Sequence, residues 1–406
     1  MKIIIFSHLF PNKNFPYDGI FNLSRAKALD KQNCEVIVIA PISLNPYFRN
    51  IFPKFRLSEN IRLFKKLNSI PPIEYIEGIK VYHPKWMQLP NKMFWKYHSE
   101  IMHFYIGRKV QEIMKAFKPD LIISTWLNPF ATYSEYFKKE LNVMTFALAE
   151  GSDLLIHPYQ YAGWDKIQSK INTNCELILA VSNRMKKHME QKTKFNNIEV
   201  IRNGYDEELF QLNDYTRITQ HNPIRIVSVG SFHHVKGQDI LIKAIMQLKI
   251  PFELTIVGSG PELEVCQSIV HNYKLDKVVH FIGNLQHNAL PEELIRHDIF
   301  CLPSRSEGFP AAPLEAMGCG LPVVSSNVGD MDEIIIDGFN GLLFKCESPE
   351  DLADKLTLAS KIDWKKNAIS KWVENRYSWN NWATQILEKH CSYLKENKIL
   401  ASSSNN

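Results

Sequence analysis

Short runs of β-branched and other apolar residues alternate with amphipathic stretches of helical length along the chain, and the alternation falls into two series. The first series predicts strands at Lys2–Ser7, Glu35–Ala40, Leu121–Ser124, Val143–Leu148, Leu177–Ser182 and Glu199–Arg202. The second restarts with Ile224–Gly230, Glu253–Gly258, Val278–Gly283, Asp298–Pro303 and Leu321–Ser325, each ending near a Gly, Pro or Ser. Apolar strands separated by helical segments are the signature of parallel sheets covered by helices, so the predicted class is α/β with two Rossmann-like domains. The polar stretch 213–223 separates the two series and places a linker there. The segment Trp379–Lys395 has helical period and is expected to pack back on the first domain. The resulting division is 1–205, 206–378 and 379–406, the last closing on the polar tail Ala401–Asn406.

Composition narrows the class. With 406 residues, 45% hydrophobic and 22% charged, the chain is sized for two domains of ordinary soluble character. No apolar run approaches the roughly 20 residues that span a bilayer. Met1–His8 has the short apolar core of a first strand, and the polar, proline-containing stretch behind it lacks a small-residue cleavage site. The seven cysteines are odd in number and contain no C-x-x-C pair, which argues against a disulfide framework and a zinc site and points to the cytoplasm. Residues 1–200 carry a net charge of +11 and the remainder −6, so the two halves meet different surroundings.

The stretch Ser304 to Val324 carries the most chemistry. A strand ends at Pro303, a loop with Gly308 and Pro310 follows, Pro313 suits the first turn of a helix, and Gly318 or Gly320 stops it before the next strand. Loops at the carboxyl ends of strands form the ligand crevice of an open parallel sheet, and a helix start offers N–H groups to a phosphate. Glu307 and Glu315 bracket that position, placed to accept hydrogen bonds from sugar or ribose hydroxyls. Taken singly, each has a plainer reading, Glu307 as a solvated loop residue and Glu315 as a favourable charge near a helix start.

Taken together with Gly308-Phe309-Pro310 and Gly320-Leu321-Pro322-Val323-Val324, the segment resembles the signature of the retaining glycosyltransferases of family 4, a Glu, seven residues and a second Glu in a two-domain GT-B fold. The resemblance continues through Val328-Gly329, Glu333-Ile334 and Asp337 to Leu343, and Asn203-Gly204-Tyr205-Asp206 is similar to the family's N-G-V-D. Val229 to Gly237 resembles its V-G-R-x…K-G loop, whose Arg and Lys neutralise the donor diphosphate. Lys236 matches, and Ser231 stands where the Arg is usual, with His233, His234 or a helix N-terminus as partial substitutes. In the first half, Phe10-Pro11…Asp18-Gly19-Ile20 is similar to the loop after the first strand that approaches donor phosphate and acceptor. Glu150-Gly151-Ser152-Asp153-Leu154 resembles an H-G-S-D segment on the acceptor side, with Glu150 in place of the His.

The resemblance implies two facing domains across a cleft. It implies a nucleotide-sugar donor, UDP- or GDP-linked, held by Gly19, Ser231, Lys236, Glu307, Gly308, Phe309, Ala311, Ala312 and Glu315. Catalytic roles then fall to Lys236, Glu307 and Asp153, with Glu150 and Asp153 toward a glycan or lipid-linked glycan acceptor, retention of configuration, and a place in cell-surface polysaccharide biosynthesis. No cofactor, metal or nucleic acid is expected. Asp330-Met331-Asp332 is formally a D-x-D, but it falls in the G-x-x-E segment behind the donor motif. Gly258-Ser259-Gly260 lacks the third glycine of a dinucleotide loop and reads as a tight turn. That missing glycine pattern disfavours a nicotinamide oxidoreductase, while a non-catalytic glycosyltransferase-like subunit stays open because Ser231 and Glu150 depart from the family pattern. The basic and aromatic stretch Lys85–Lys118 suits either peripheral contact with an anionic membrane or a helix packed on its sheet with a solvated basic face.

Overall fold

The computed structural model describes residues 1–44, 57–89, 92–160, 162–212 and 221–403. Most of the expected linker, residues 213–220, lies outside the described residues. The chain divides into two compact units, Met1–Arg202 with Trp382–Asn406, and Asn203–Asn381.

The first unit is built on β1 (Lys2–Phe6), β2 (Glu35–Ile39), β3 (Ile42–Ser43), β4 (Ile73–Ile76), β5 (Ile79–Tyr82), β6 (Lys85–Trp86), β7 (Leu121–Thr125), β8 (Met144–Ala149), β9 (Leu177–Ala180) and β10 (Ile198–Val200). Eight of these form one sheet in the order β10-β9-β8-β7-β1-β2-β5-β4, with β3 and β6 paired separately. β1 is central because Ile3, Ile4, Ile5 and Phe6 are wholly buried on both faces, which only a strand between two parallel neighbours allows. β4 and β5 are an antiparallel edge hairpin closed by Glu77 and Gly78, both with positive φ (47° and 88°), the tight turn whose twist suits a hairpin. The strand pattern missed this pair, although the Glu-Gly dipeptide between two alternating runs was its signal.

The second unit carries β11 (Ile224–Val229), β12 (Phe252–Val257), β13 (Val279–Gly283), β14 (Ile299–Leu302), β15 (Val323–Ser326) and β16 (Gly341–Phe344), all parallel, in the order β13-β12-β11-β14-β15-β16. β16, absent from the expected strands, needs Gly341: a Cβ there would lie 2.1 Å from the Val323 carbonyl oxygen on β15. The family-like segment at Asn203–Asp206 has a structural use. The Tyr205 amide donates to the Tyr377 carbonyl at 2.9 Å, and a Cβ on Gly204 would meet the Trp379 nitrogen at 2.5 Å.

The last helix, Trp379–Ser403, runs beyond the expected Lys395, and from Trp382 onward it belongs to the first unit. Trp382, Ile386 and His390 recur every fourth position and are all buried, a stripe facing the unit's core. Trp382 covers the Arg25 guanidinium at 5.6 Å from the ring centroid, and Gln32 Nε2 donates to Thr384 Oγ1 at 3.3 Å. Of the aromatics in Lys85–Lys118, Trp86, Trp95 and Phe117 are buried, so the stretch is not uniformly a surface band. Trp382→Ala should cost about 3–5 kcal/mol by opening a cavity over Arg25. Urea unfolding checks this, and a loss under about 1 kcal/mol would mean the helix contributes little to the unit's stability.

Candidate active site

In the second sheet the order reverses direction between β11 and β14, which pair directly through Ile226 with Ile299 and Val227 with Phe300. Connections leave these neighbours toward opposite sides, so a crevice opens beyond their carboxyl ends. The loop after β11 runs through Gly230, Ser231, Phe232 and His233 into the turn His234–Lys236, then Gly237 and the helix Gln238–Ile245. The loop after β14 runs from Pro303 to Ala311 and enters the helix Ala312–Gly318.

Across this crevice Lys236 Nζ donates to Glu307 Oε1 at 2.7 Å, and Ser304 Oγ donates to the same oxygen at 2.7 Å. Ser304 is itself fixed by Ser326 Oγ, which donates to its carbonyl at 2.5 Å from the end of β15. The Glu307 side chain is 9% exposed and Lys236 32%, so the carboxylate sits in the floor and the ammonium at the rim. Glu315 is 9% exposed near the start of the following helix and meets His287 Nε2 at 3.2 Å.

Arg305, which the sequence did not single out, clamps the two loops. Its amide donates to the Val235 carbonyl at 2.8 Å and its Nη1 to the His234 carbonyl at 2.6 Å. Its guanidinium also grips both Asp239 oxygens, at 2.8 and 2.9 Å, and reaches Glu347 at 3.0 Å. Burial pushes the Asp239 carboxyl up, but hydrogen bonds from Arg305 and Lys243 outweigh it and hold it at about 2. Arg305 is therefore committed to structure and does not replace the cation missing at Ser231. Of the two histidines among the expected substitutes, His234 reaches Glu262 at 3.6 Å, and both His233 and His234 are exposed.

The glycines of these loops are set by close backbone approach. Gly237 has φ 65°, and a Cβ there would fall 2.1 Å from the Pro303 carbonyl oxygen; a Cβ on Gly258 would fall 2.1 Å from that of Gly230. The turn Gly258-Ser259-Gly260 thus buttresses the β11 loop, with the Phe232 amide donating to the Ser259 carbonyl at 2.9 Å. Gly329 presses on the other loop, where a Cβ would lie 3.2 Å from the Gly308 carbonyl oxygen. Phe309 packs on the unit's core beside Tyr377, ring centroids 5.9 Å apart. Asp330 is wholly buried ahead of the short helix Met331–Ile334 while Asp332 is exposed, so the two carboxylates of the formal D-x-D lie in different surroundings.

The remaining expected site residues lie in the first unit. Gly19, with φ 70°, precedes the helix Ile20–Lys31 and packs so closely on Leu9 that a Cβ would sit 2.4 Å from its carbonyl oxygen. Behind it, Asn22 Nδ2 holds Ser7 Oγ at 2.9 Å and the Leu9 carbonyl at 2.8 Å. The wholly buried Arg25 donates to Asn22 Oδ1 and Glu150 Oε1. Glu150, standing where the family has His, is thus one half of a buried ion pair.

Asp153, expected among the catalytic groups, has a different place. It is 1% exposed and accepts the amides of Leu127 at 3.0 Å, Glu150 at 3.1 Å and Gly151 at 2.8 Å, tying the loops after β7 and β8 together. Burial and the neighbouring Glu150 push its carboxyl up to about 7 against those three donors. Its oxygens are turned to the backbone of these two loops.

Comparison with known proteins gives the family and the fold. Residues 213–379 match the family described as glycosyl transferases group 1, and residues 20–209 match glycosyltransferase family 4. An uncharacterized glycosyltransferase of Methanocaldococcus jannaschii is 30% identical over 264 residues, 64% of this chain and 72% of that protein. A Bacillus subtilis glycosyltransferase named for teichuronic acid biosynthesis is 24% identical over 88% of each chain. Among solved structures, sucrose-phosphate synthase from Thermosynechococcus elongatus covers 98% of this chain and 100% of its own with a TM-score of 0.71 at 16% identity. Anabaena HepE in complex with UDP covers 97% and 100% with a TM-score of 0.67 at 17% identity. Both likenesses establish the fold. The chain belongs to the group 1, family 4 glycosyltransferases, with the GT-B fold, and is a transferase.

Proposed function

We propose that this glycosyltransferase takes a UDP- or GDP-linked sugar and passes it, with retention of configuration, to a glycan or lipid-linked glycan in cell-surface polysaccharide biosynthesis. The observation that carries the donor assignment is the Lys236–Glu307 contact at the crevice between β11 and β14, with Glu315 a turn into the next helix. Anabaena HepE is described in complex with UDP-glucose, and the Bacillus subtilis relative is named for teichuronic acid biosynthesis.

Breaking the bond between the sugar's anomeric carbon and the β-phosphate oxygen places negative charge on that oxygen. Lys236 and the amides of Phe309, Ala311 and Ala312 neutralise it in a partly desolvated site. The acceptor hydroxyl forms the new bond on the same face, and its proton passes to the departing phosphate. The Glu307 oxygen not already shared by Lys236 and Ser304 orients the donor sugar, and Glu315 holds the ribose. Glu315→Gln should weaken nucleotide affinity by about tenfold to a hundredfold with a smaller change in kcat. Glu307→Gln should lower kcat by about a hundredfold or more while UDP or GDP binds at least as well, because Lys236 loses its internal partner. Donor titrations and single-turnover rates on folded variants check the contrast; both variants within about threefold of the parent would overturn the assignment.

The acceptor side of the reading includes a lipid surface. On the helix His98–Phe117, Phe104 is 84% exposed beside Tyr105, and Arg108, Lys109 and Lys115 follow on the solvent side. An exposed aromatic next to cations suits an anionic headgroup layer, each cation being worth about 1 kcal/mol there. Phosphatidylglycerol vesicles should retain the protein at low salt and phosphatidylcholine vesicles should not, with retention lost in a Phe104→Ser, Arg108→Glu, Lys109→Glu variant. Absence of binding to the anionic vesicles would remove the lipid surface from the account.

A further inference from the structure

Glu315 does not stand alone in its crevice. His287 opens the turn His287–Ala289 that follows β13, and its Nε2 lies 3.2 Å from Glu315 Oε1. Phe210, wholly buried, meets the imidazole edge-on with ring centroids 5.0 Å apart, fixing its plane. The Phe210 amide in turn donates to the Asp206 carbonyl at 2.8 Å, so the segment behind the ring is itself anchored. The imidazole is 34% exposed and the carboxylate 12%, which puts the histidine between Glu315 and solvent on that side.

A carboxylate has two acceptor oxygens, and a group held in one rotamer loses less freedom when a ligand arrives. Here one oxygen is taken by the imidazole and the other is left for hydroxyl donors. We infer that His287 is the positioning residue of the donor site: it holds the Glu315 carboxylate through Oε1 so that Oε2 receives the ribose hydroxyls of the nucleotide. This rests on the ribose role given to Glu315 under Proposed function.

The ionisable groups that face the imidazole are Glu315 from the helix Ala312–Gly318 and Asp206 from the segment before β11, both acidic. The hydrogen bond to Glu315 raises the imidazole above its ordinary 6.5 against the opposing effect of burial, and the Glu315 and Asp206 charges add to the rise. A raised histidine keeps its proton to higher pH, so the charged pair is intact on the acid side and is lost as pH rises through the raised value. Nucleotide affinity should follow the same direction. Ionisation of the nucleotide's own phosphate affects parent and variant alike, so the difference between their pH curves isolates the histidine.

The test is calorimetric titration of the full-length protein with UDP, GDP and ADP across pH 5.5 to about 9, using whichever binds most tightly. His287→Ala should weaken binding by about tenfold at the acid end and less at the alkaline end. His287→Gln, which keeps an N–H donor without the titration, should recover part of the affinity and flatten the pH difference. In a Glu315→Gln background His287→Ala should add little further loss. Parent-like binding by His287→Ala, or an equal loss in both backgrounds, would overturn the positioning role. If instead Glu315→Gln itself leaves nucleotide affinity unchanged, it is the ribose assignment that fails.

Discussion

The site depends on one topological constraint, the reversal of strand order between β11 and β14. Because these neighbours send their connections to opposite sides, the loops beyond them diverge and leave a crevice at the carboxyl ends of the strands. Everything proposed for the donor is placed by that divergence: Lys236 from one loop, Glu307 from the other, and Glu315 from the helix into which the second loop runs. The first unit repeats the arrangement, its order reversing between β1 and β7, with Gly19 after the first strand and the Asp153-anchored loop after the second.

Divergent loops need ties, and the structure supplies them in two kinds. Polar ties come from Arg305, which joins the β14 loop to the turn carrying Lys236 through two backbone carbonyls and a bidentate Asp239 contact. Steric ties come from Gly237 and Gly258, where backbone lies so close to Pro303 and Gly230 that any side chain would force the loops apart. Preorganised donors and acceptors of this kind cost no rearrangement when charge develops on a leaving phosphate.

Much of this was legible in the residues. The central strands are continuous apolar runs because both faces are covered, and the stretch Glu307 to Val324 announced a strand, loop and helix together with its two carboxylates. What stayed hidden had physical reasons. Arg305 and Asp239 are 66 positions apart and His287 and Glu315 are 28 apart, so no local pattern joins them. Asp153 looked reactive in a Gly-Ser-Asp segment, yet backbone amides from two loops surround it, a circumstance that only the fold creates. Arg25 and Asn22 lie buried on a helix where a hydrophobic stripe would be expected, which conceals their network with Ser7 and Glu150 from any periodicity argument.

The central claim is that a nucleoside diphosphate binds where β11 and β14 part. Amide hydrogen exchange, followed with and without saturating UDP, GDP or ADP, reads that place directly, since a ligand slows exchange in the segments it covers. The account predicts protection concentrated in residues 230–237 and 304–315, with Phe309, Ala311 and Ala312 among the slowed amides. Protection confined to other segments of the second unit, or none with any of the three nucleotides at saturation, would contradict it.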